Sequence, residues 1–154
     1  MRIDDLEILQ IAEQLSDKLW QEIVSWEDFA KDTVGKQLAR SGDSIGANIA
    51  EAFGRYHFGD RLRFLYYSRG SIYETKFWLN RAMNRKLLDS RNVERYLANL
   101  TRLAKRLNAL VSVTRKQQSS SKGIKEIQEE YTFSEDFFSD EDLAYISRLV
   151  THAG

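Results

Sequence analysis

Residues 44–55 read SIGANIAEAFGR, preceded by QLARSGD at 37–43. They lie within a run, 31–56, where Val34, Leu38, Ser41, Ile45, Asn48, Ala52 and Tyr56 recur at alternating steps of four and three. That repeat marks one face of a helix. Yet serine and asparagine stand where such a face usually carries leucine. Ser41, Gly42, Ser44, Gly46 and Ala47 have little side-chain bulk, which lets another helix backbone come close. Each glycine costs about 1 kcal/mol of helix propensity relative to alanine. A buried amide or carboxylate left unpaired costs about 1–3 kcal/mol, so Asn48 and Glu51 need partners. The stretch RGSIYE at 69–74 interrupts the next apolar stripe in the same way and offers Arg69 and Glu74. We therefore expect Asn48, Glu51, Arg69 and Glu74 to form one hydrogen-bonded network that fixes the register of the second and third helices.

Three further stretches carry helical periodicity. The first, 3–26, repeats Ile8, Ile11, Leu15, Leu19, Ile23 and Trp26, with Trp20 and Val24 widening the face. The third, 58–87, runs Leu65, Ser68, Ile72, Thr75, Leu79 and Ala82. The fourth runs Val93, Leu97, Leu100, Ala104, Leu107 and Val111, with Asp89 or Ser90 placed to cap it. The expected turns, 27–31, 56–59 and 87–90, are short. Four long rods with short connections predict an all-α fold, an up-down-up-down antiparallel four-helix bundle. The chain contains no proline, which suits unbroken helices.

Beyond Gln118 the character changes. SSSKG at 119–123 reads as a polar linker, followed by IKEIQEEY and the aromatic, acidic TFSEDFFSDED. Ser139 with Asp142 three residues later fits a capping box, which predicts a short extra helix near 140–151. The division expected is a bundle over 1–118 and a linker with an acidic C-terminal tail over 119–154.

QLARSGDSIGANIAEAFGR (37–55) followed by RFLYYSRGSIYE (63–74) resembles the four-helix-bundle proteins encoded in intervening sequences of bacterial 23S rRNA genes. That family includes the accessory variability proteins of diversity-generating retroelements. The residues that match its usual signature are Ser44, Ile45, Ala47–Ala50, Glu51, Gly54, Arg55, Arg63–Leu65, Arg69–Ser71 and Glu74. Gly46 replaces the usual proline and Ala52 the usual glycine, and both changes permit continuous helix. The resemblance spans about residues 5–116. It implies a cytoplasmic homo-oligomer, a barrel-like pentamer, with a basic surface for nucleic acid. In the retroelement branch it implies a reverse transcriptase as partner.

Charge supports the same direction from the residues themselves. The formal net charge is zero, but residues 1–30 hold two basic and eight acidic side chains. Residues 31–118 hold eighteen basic and seven acidic, and residues 119–154 hold three and eight. A basic middle between acidic ends reads either as solvated helix faces or as a polyanion-binding surface. On the fourth helix Arg91, Arg95, Arg102 and Arg106 lie opposite the apolar stripe, with Lys105 beside them. The third helix adds Arg81, Arg85 and Lys86. Cations spaced along a rigid rod suit successive phosphates of RNA or DNA. The aromatics Tyr66, Tyr67, Tyr73, Phe77 and Trp78 suit base stacking, but such residues more often form a core or a buried surface between protomers, which is the expectation here.

Catalysis has little to work with. There is no cysteine, no phosphate-binding glycine loop and no Glu-x-x-His motif, and His57 and His152 lack metal-ligand spacing. No enzyme activity, metal or cofactor is expected. The acidic start, MRIDDLEI, is unlike a secretory leader, and no apolar run approaches the roughly 20 residues that cross a bilayer. A cytoplasmic protein is expected, without a membrane. The competing reading is a protein-interaction scaffold that docks a partner such as a polymerase.

Overall fold

Every regular element in the computed structural model, which describes residues 3–121 and 137–151, is helical. The long helices are α1 (Ile3–Val24), α3 (Lys36–Gly54), α4 (Phe58–Asn84) and α5 (Ser90–Ser121). A single turn, α2 (Asp28–Ala30), passes through a π-helical stretch (Lys31–Gly35) into α3, and α6 (Asp140–Ser147) ends the fold. α1 packs on α3 and α5, and α4 packs on α3 and α5. Chain neighbours are space neighbours around a closed ring, the up-down-up-down arrangement. No described helix is long and apolar enough to cross a membrane.

The stripes meet in one core. Ile8, Leu15 and Leu19 of α1, Leu38, Ile45 and Ile49 of α3, Leu65, Ile72 and Leu79 of α4, and Leu97, Leu100 and Leu107 of α5 are all fully or nearly fully buried. Trp20 and Val24 are not part of it. They are 60% and 51% exposed, on the side of α1 turned away from α3 and α5.

The turn expected at 27–31 is shorter and earlier. Amides of Ser25 and Trp26 bond back to Glu22 and Ile23, and Glu27 is extended. Helix resumes at Asp28, and the π turn accommodates one extra residue so that Val34 and Gly35 both face the core. A Cβ on Gly35 would lie 2.8 Å from Ile23 Cγ2 and 3.2 Å from the Ala30 carbonyl oxygen. Only glycine lets the backbone pass there.

The small residues of α3 divide their work differently from expectation. A Cβ on Gly42 would meet Leu19 Cδ1 at 2.9 Å, and one on Gly46 would meet Ala12 Cβ at 3.3 Å. The glycines thus admit α1. The close approach of α3 to α4 is made instead by Ser68, whose hydroxyl donates to the Ile45 carbonyl at 3.0 Å.

α4 ends in a Schellman motif. Leu87 N donates to Ala82 O (2.9 Å) and Lys86 N to Met83 O (3.0 Å), with Lys86 in the left-handed region at φ 60°. Asp89 then caps α5, its Oδ1 accepting from Asn92 N at 2.7 Å.

α5 runs three residues past Gln118. The hydroxyls of Ser119, Ser120 and Ser121 donate to Arg115, Lys116 and Gln118 carbonyls, so this serine run closes a helix rather than opening a linker. The rest of the expected linker and IKEIQEEY lie outside the described residues. The capping box is present: Asp142 N donates to Ser139 Oγ, and Ser139 N to Asp142 Oδ2. α6 packs on α5, and Phe137, Phe138 and Ile146 are buried with the bundle core.

Candidate nucleic-acid interface

The arginines of α5 do not share one environment. Arg106 donates to Glu7 Oε1 at 2.6 Å and Arg102 to the same oxygen at 3.2 Å. Glu7 belongs to α1, so the acidic first helix partly neutralises the middle of the basic one. Arg91, Arg95 and Lys105 are exposed, and none has a carboxylate within 4 Å among the described residues.

On α4, Arg81 lies over the Phe77 ring at 5.8 Å, a cation–π contact with an aromatic that is itself 53% exposed. Arg85 and Lys86 follow at the helix end, both exposed. Because α4 leads into α5 through the turn at 85–89, Arg81, Arg85, Lys86, Arg91 and Arg95 surround one end of the molecule. Beside Arg95, a polar groove of about 470 Å³ between α1 and α5 is lined by Lys18, Gln21, Glu22, Asn92, Tyr96 and Asn99. Tyr96 closes its floor, donating to the Lys18 carbonyl at 3.3 Å. Burial, and then Glu22, push its phenol up to about 12.

The network expected of Asn48, Glu51, Arg69 and Glu74 is not what these residues build. Asn48 is half-buried and donates to Ser44 O of its own helix at 2.8 Å. Glu51 is exposed and pairs with Arg55 one turn on, and Glu74 is exposed. Arg69 turns the other way, to the C-terminal segment: Nε donates to Phe137 O at 2.9 Å, and its guanidinium faces Asp142 at 3.6 Å. The physical reason is angular. Ser68 and Ile72 take the inward positions of α4, so Arg69 falls on the α4–α5 seam.

Sequence reasoning missed that seam. Lys76 is fully buried there, and Nζ donates to Arg148 O at 2.5 Å and Ile146 O at 3.4 Å. Desolvation, and then the nearby Arg148 charge, lower its amine to about 8. Tyr73 donates to Asp142, and its phenol is pushed up to about 12, first by burial and then by that bond. The same bond holds the Asp142 carboxyl below the ordinary carboxylate range. Tyr66 packs on Phe137 with ring centroids 4.7 Å apart. Part of the second buried surface expected from the helix's aromatics is therefore the chain's own tail. Among the described residues no group of three or more His, Cys, Asp or Glu is placed to hold a metal ion.

The family model for 23S rRNA-intervening sequence proteins matches residues 4–109. The chain belongs to that family. The match spans α1 to the middle of α5, so α6 and the Phe137–Phe138 pair lie beyond the part shared with the 23S rRNA-intervening sequence proteins. A crystal structure of a protein of unknown function from the S23 ribosomal protein family of Bacteroides thetaiotaomicron VPI-5482 has the same fold. Its TM-score is 0.63 at 22% identity, over 71% of this chain and 98% of that one. A comparison with curated proteins finds no match.

Proposed function

We propose that this 23S rRNA-intervening sequence protein is a non-enzymatic, self-associating bundle that binds RNA or DNA through the basic surface of α4 and α5. The observation that carries the reading is the end of the molecule around the α4–α5 turn. There Arg81, Arg85, Lys86, Arg91 and Arg95 lie without a carboxylate within 4 Å among the described residues. Cations held on helix ends neutralise phosphates and release counterions, which gives affinity with little sequence preference. Lys105 extends the surface along α5. Arg102 and Arg106 contribute less, being shared with Glu7.

Self-association into the pentamer that the family resemblance implies is supported by apolar side chains left outside. Trp20, Val24, Phe29 and Phe77 are each more than half exposed. The same residues favour a second reading, a scaffold that docks a protein such as a reverse transcriptase.

A salt titration separates the two. Affinity for single-stranded RNA should fall log-linearly with salt, at about 0.7 of a log unit per phosphate neutralised. Removing Arg91 and Arg95 together should shallow that slope by about 1.4. No affinity for RNA or DNA at 50 mM salt would leave the scaffold reading in place of this one.

A further inference from the structure

Residues 137–148 sit on the bundle as a ligand sits in a site. A helix of eight residues does not hold in water by itself, so α6 takes its order from the seam between α4 and α5. The bundle side chains read mostly backbone. Asn108 donates from Nδ2 to Phe138 O at 2.8 Å and accepts from Phe138 N at 2.6 Å. Arg69 holds the Phe137 carbonyl. Lys76 holds the carbonyls of Ile146 and Arg148, where a helix end leaves acceptors free. Side-chain selection comes from the buried Phe137–Phe138 pair and from Asp142, which meets Arg69 and Tyr73. Nothing in these contacts depends on which molecule carries the segment.

We propose that the α4–α5 seam is a peptide-binding site that accepts residues 137–148 from a second copy of the chain, so that copies exchange their C-terminal segments. The length of chain allows it. Fifteen residues, 122–136, separate Ser121 from Phe137, a contour of about 50 Å. Asn108, which grips Phe138, stands only about 20 Å back along α5 from Ser121. The surplus, about 30 Å, is about the diameter of a small domain, the scale of the step to a copy packed alongside. Because the contacts are the same within one molecule and between two, only the tether's effective concentration, on the order of millimolar, favours the closed monomer. Chains held side by side lose that bias.

Complementation between full-length chains tests the proposal. One chain carries Phe137→Ala and Phe138→Ala, which empties its seam. The other carries Arg69→Ala and Asn108→Ala, which frees its segment. Mixed at 50 µM, they should restore to the second chain's α6 amides the hydrogen-exchange protection that neither variant shows alone, whatever the number of bundles in the assembly. A labelled synthetic peptide of residues 137–151 should likewise bind the first chain. For an intrinsic Kd of about 10 µM it should bind wild type about 100-fold more weakly, because the closed segment competes. If both variants keep the wild-type helical signal by circular dichroism and their mixture shows no restored α6 protection up to 100 µM, the proposal is overturned. If the second variant fails to fold, absence of peptide binding to the first overturns it equally.

Discussion

Lys86 holds the left-handed position of the α4 cap, which is ordinarily glycine's, and an L side chain there costs about 1–2 kcal/mol. It also stands at the centre of the unpaired cations around the α4–α5 turn. Lys86→Gly should stabilise the fold by about 1 kcal/mol, raising Tm by about 3 °C. The same change should shallow the salt dependence of RNA binding by about 0.7. A gain in both stability and affinity would remove Lys86 from the interface. Gly35 and Gly42 give a second contrast by thermal unfolding. Alanine at 35 meets a backbone oxygen and a branched methyl and should cost about 1–3 kcal/mol. Alanine at 42 meets only the end of Leu19, which can turn aside, so the helix-propensity gain should bring the change near neutral.

At the scale of elements, α6 is the part whose attachment responds to pH. Lys76, with Arg148 and Tyr145 facing it, has its amine at about 8 when seated, against about 10.4 when released. Between those values the released state binds more protons, so attachment tightens as pH rises. Tyr73 acts in the opposite sense. Its phenol at about 12 is higher than in the released state, so attachment weakens from about pH 10 upward. Asp142, with its carboxyl lowered by Tyr73, contributes above the ordinary aspartate range and is lost in acid. Hydrogen-exchange protection of the α6 amides should therefore fall below about pH 4, rise between about 8 and 10, and decline beyond. Lys76→Met should abolish the rise alone. The long helices were legible from their stripes because Leu38, Ile45, Leu79 and Leu97 each repeat with the helix period. The π turn was not, since a one-residue insertion depends on how Ile23 and Trp26 pack over Gly35. Nor was Lys76: a lysine between Thr75 and Phe77 reads as solvated until α6 is seen to cover it.

Over the whole molecule, the acidic first helix and the basic fourth rod meet, among the described residues, at one carboxylate. Glu7 holds both Arg102 and Arg106. Glu7→Gln should free them, strengthening RNA binding several-fold at 50 mM salt and steepening its salt slope by up to about 1.4. An unchanged slope would mean that the middle of α5 takes no part. Sequence alone marked the α5 cations and the acidic first segment, but which carboxylate meets which arginine is set by the α1–α5 packing. The polar residues of the SIGANIAE motif misled for a related reason: Asn48 found a partner within its own helix, and Glu51 found Arg55 at that helix's end. The buried amine of Lys76 carries one more consequence. Acylating reagents modify exposed lysines within minutes, whereas Nζ under α6 is sealed until the cover lifts. The rate at which that one side chain is acetylated, followed by peptide mass mapping, therefore times the spontaneous opening of a molecule that carries no engineered probe.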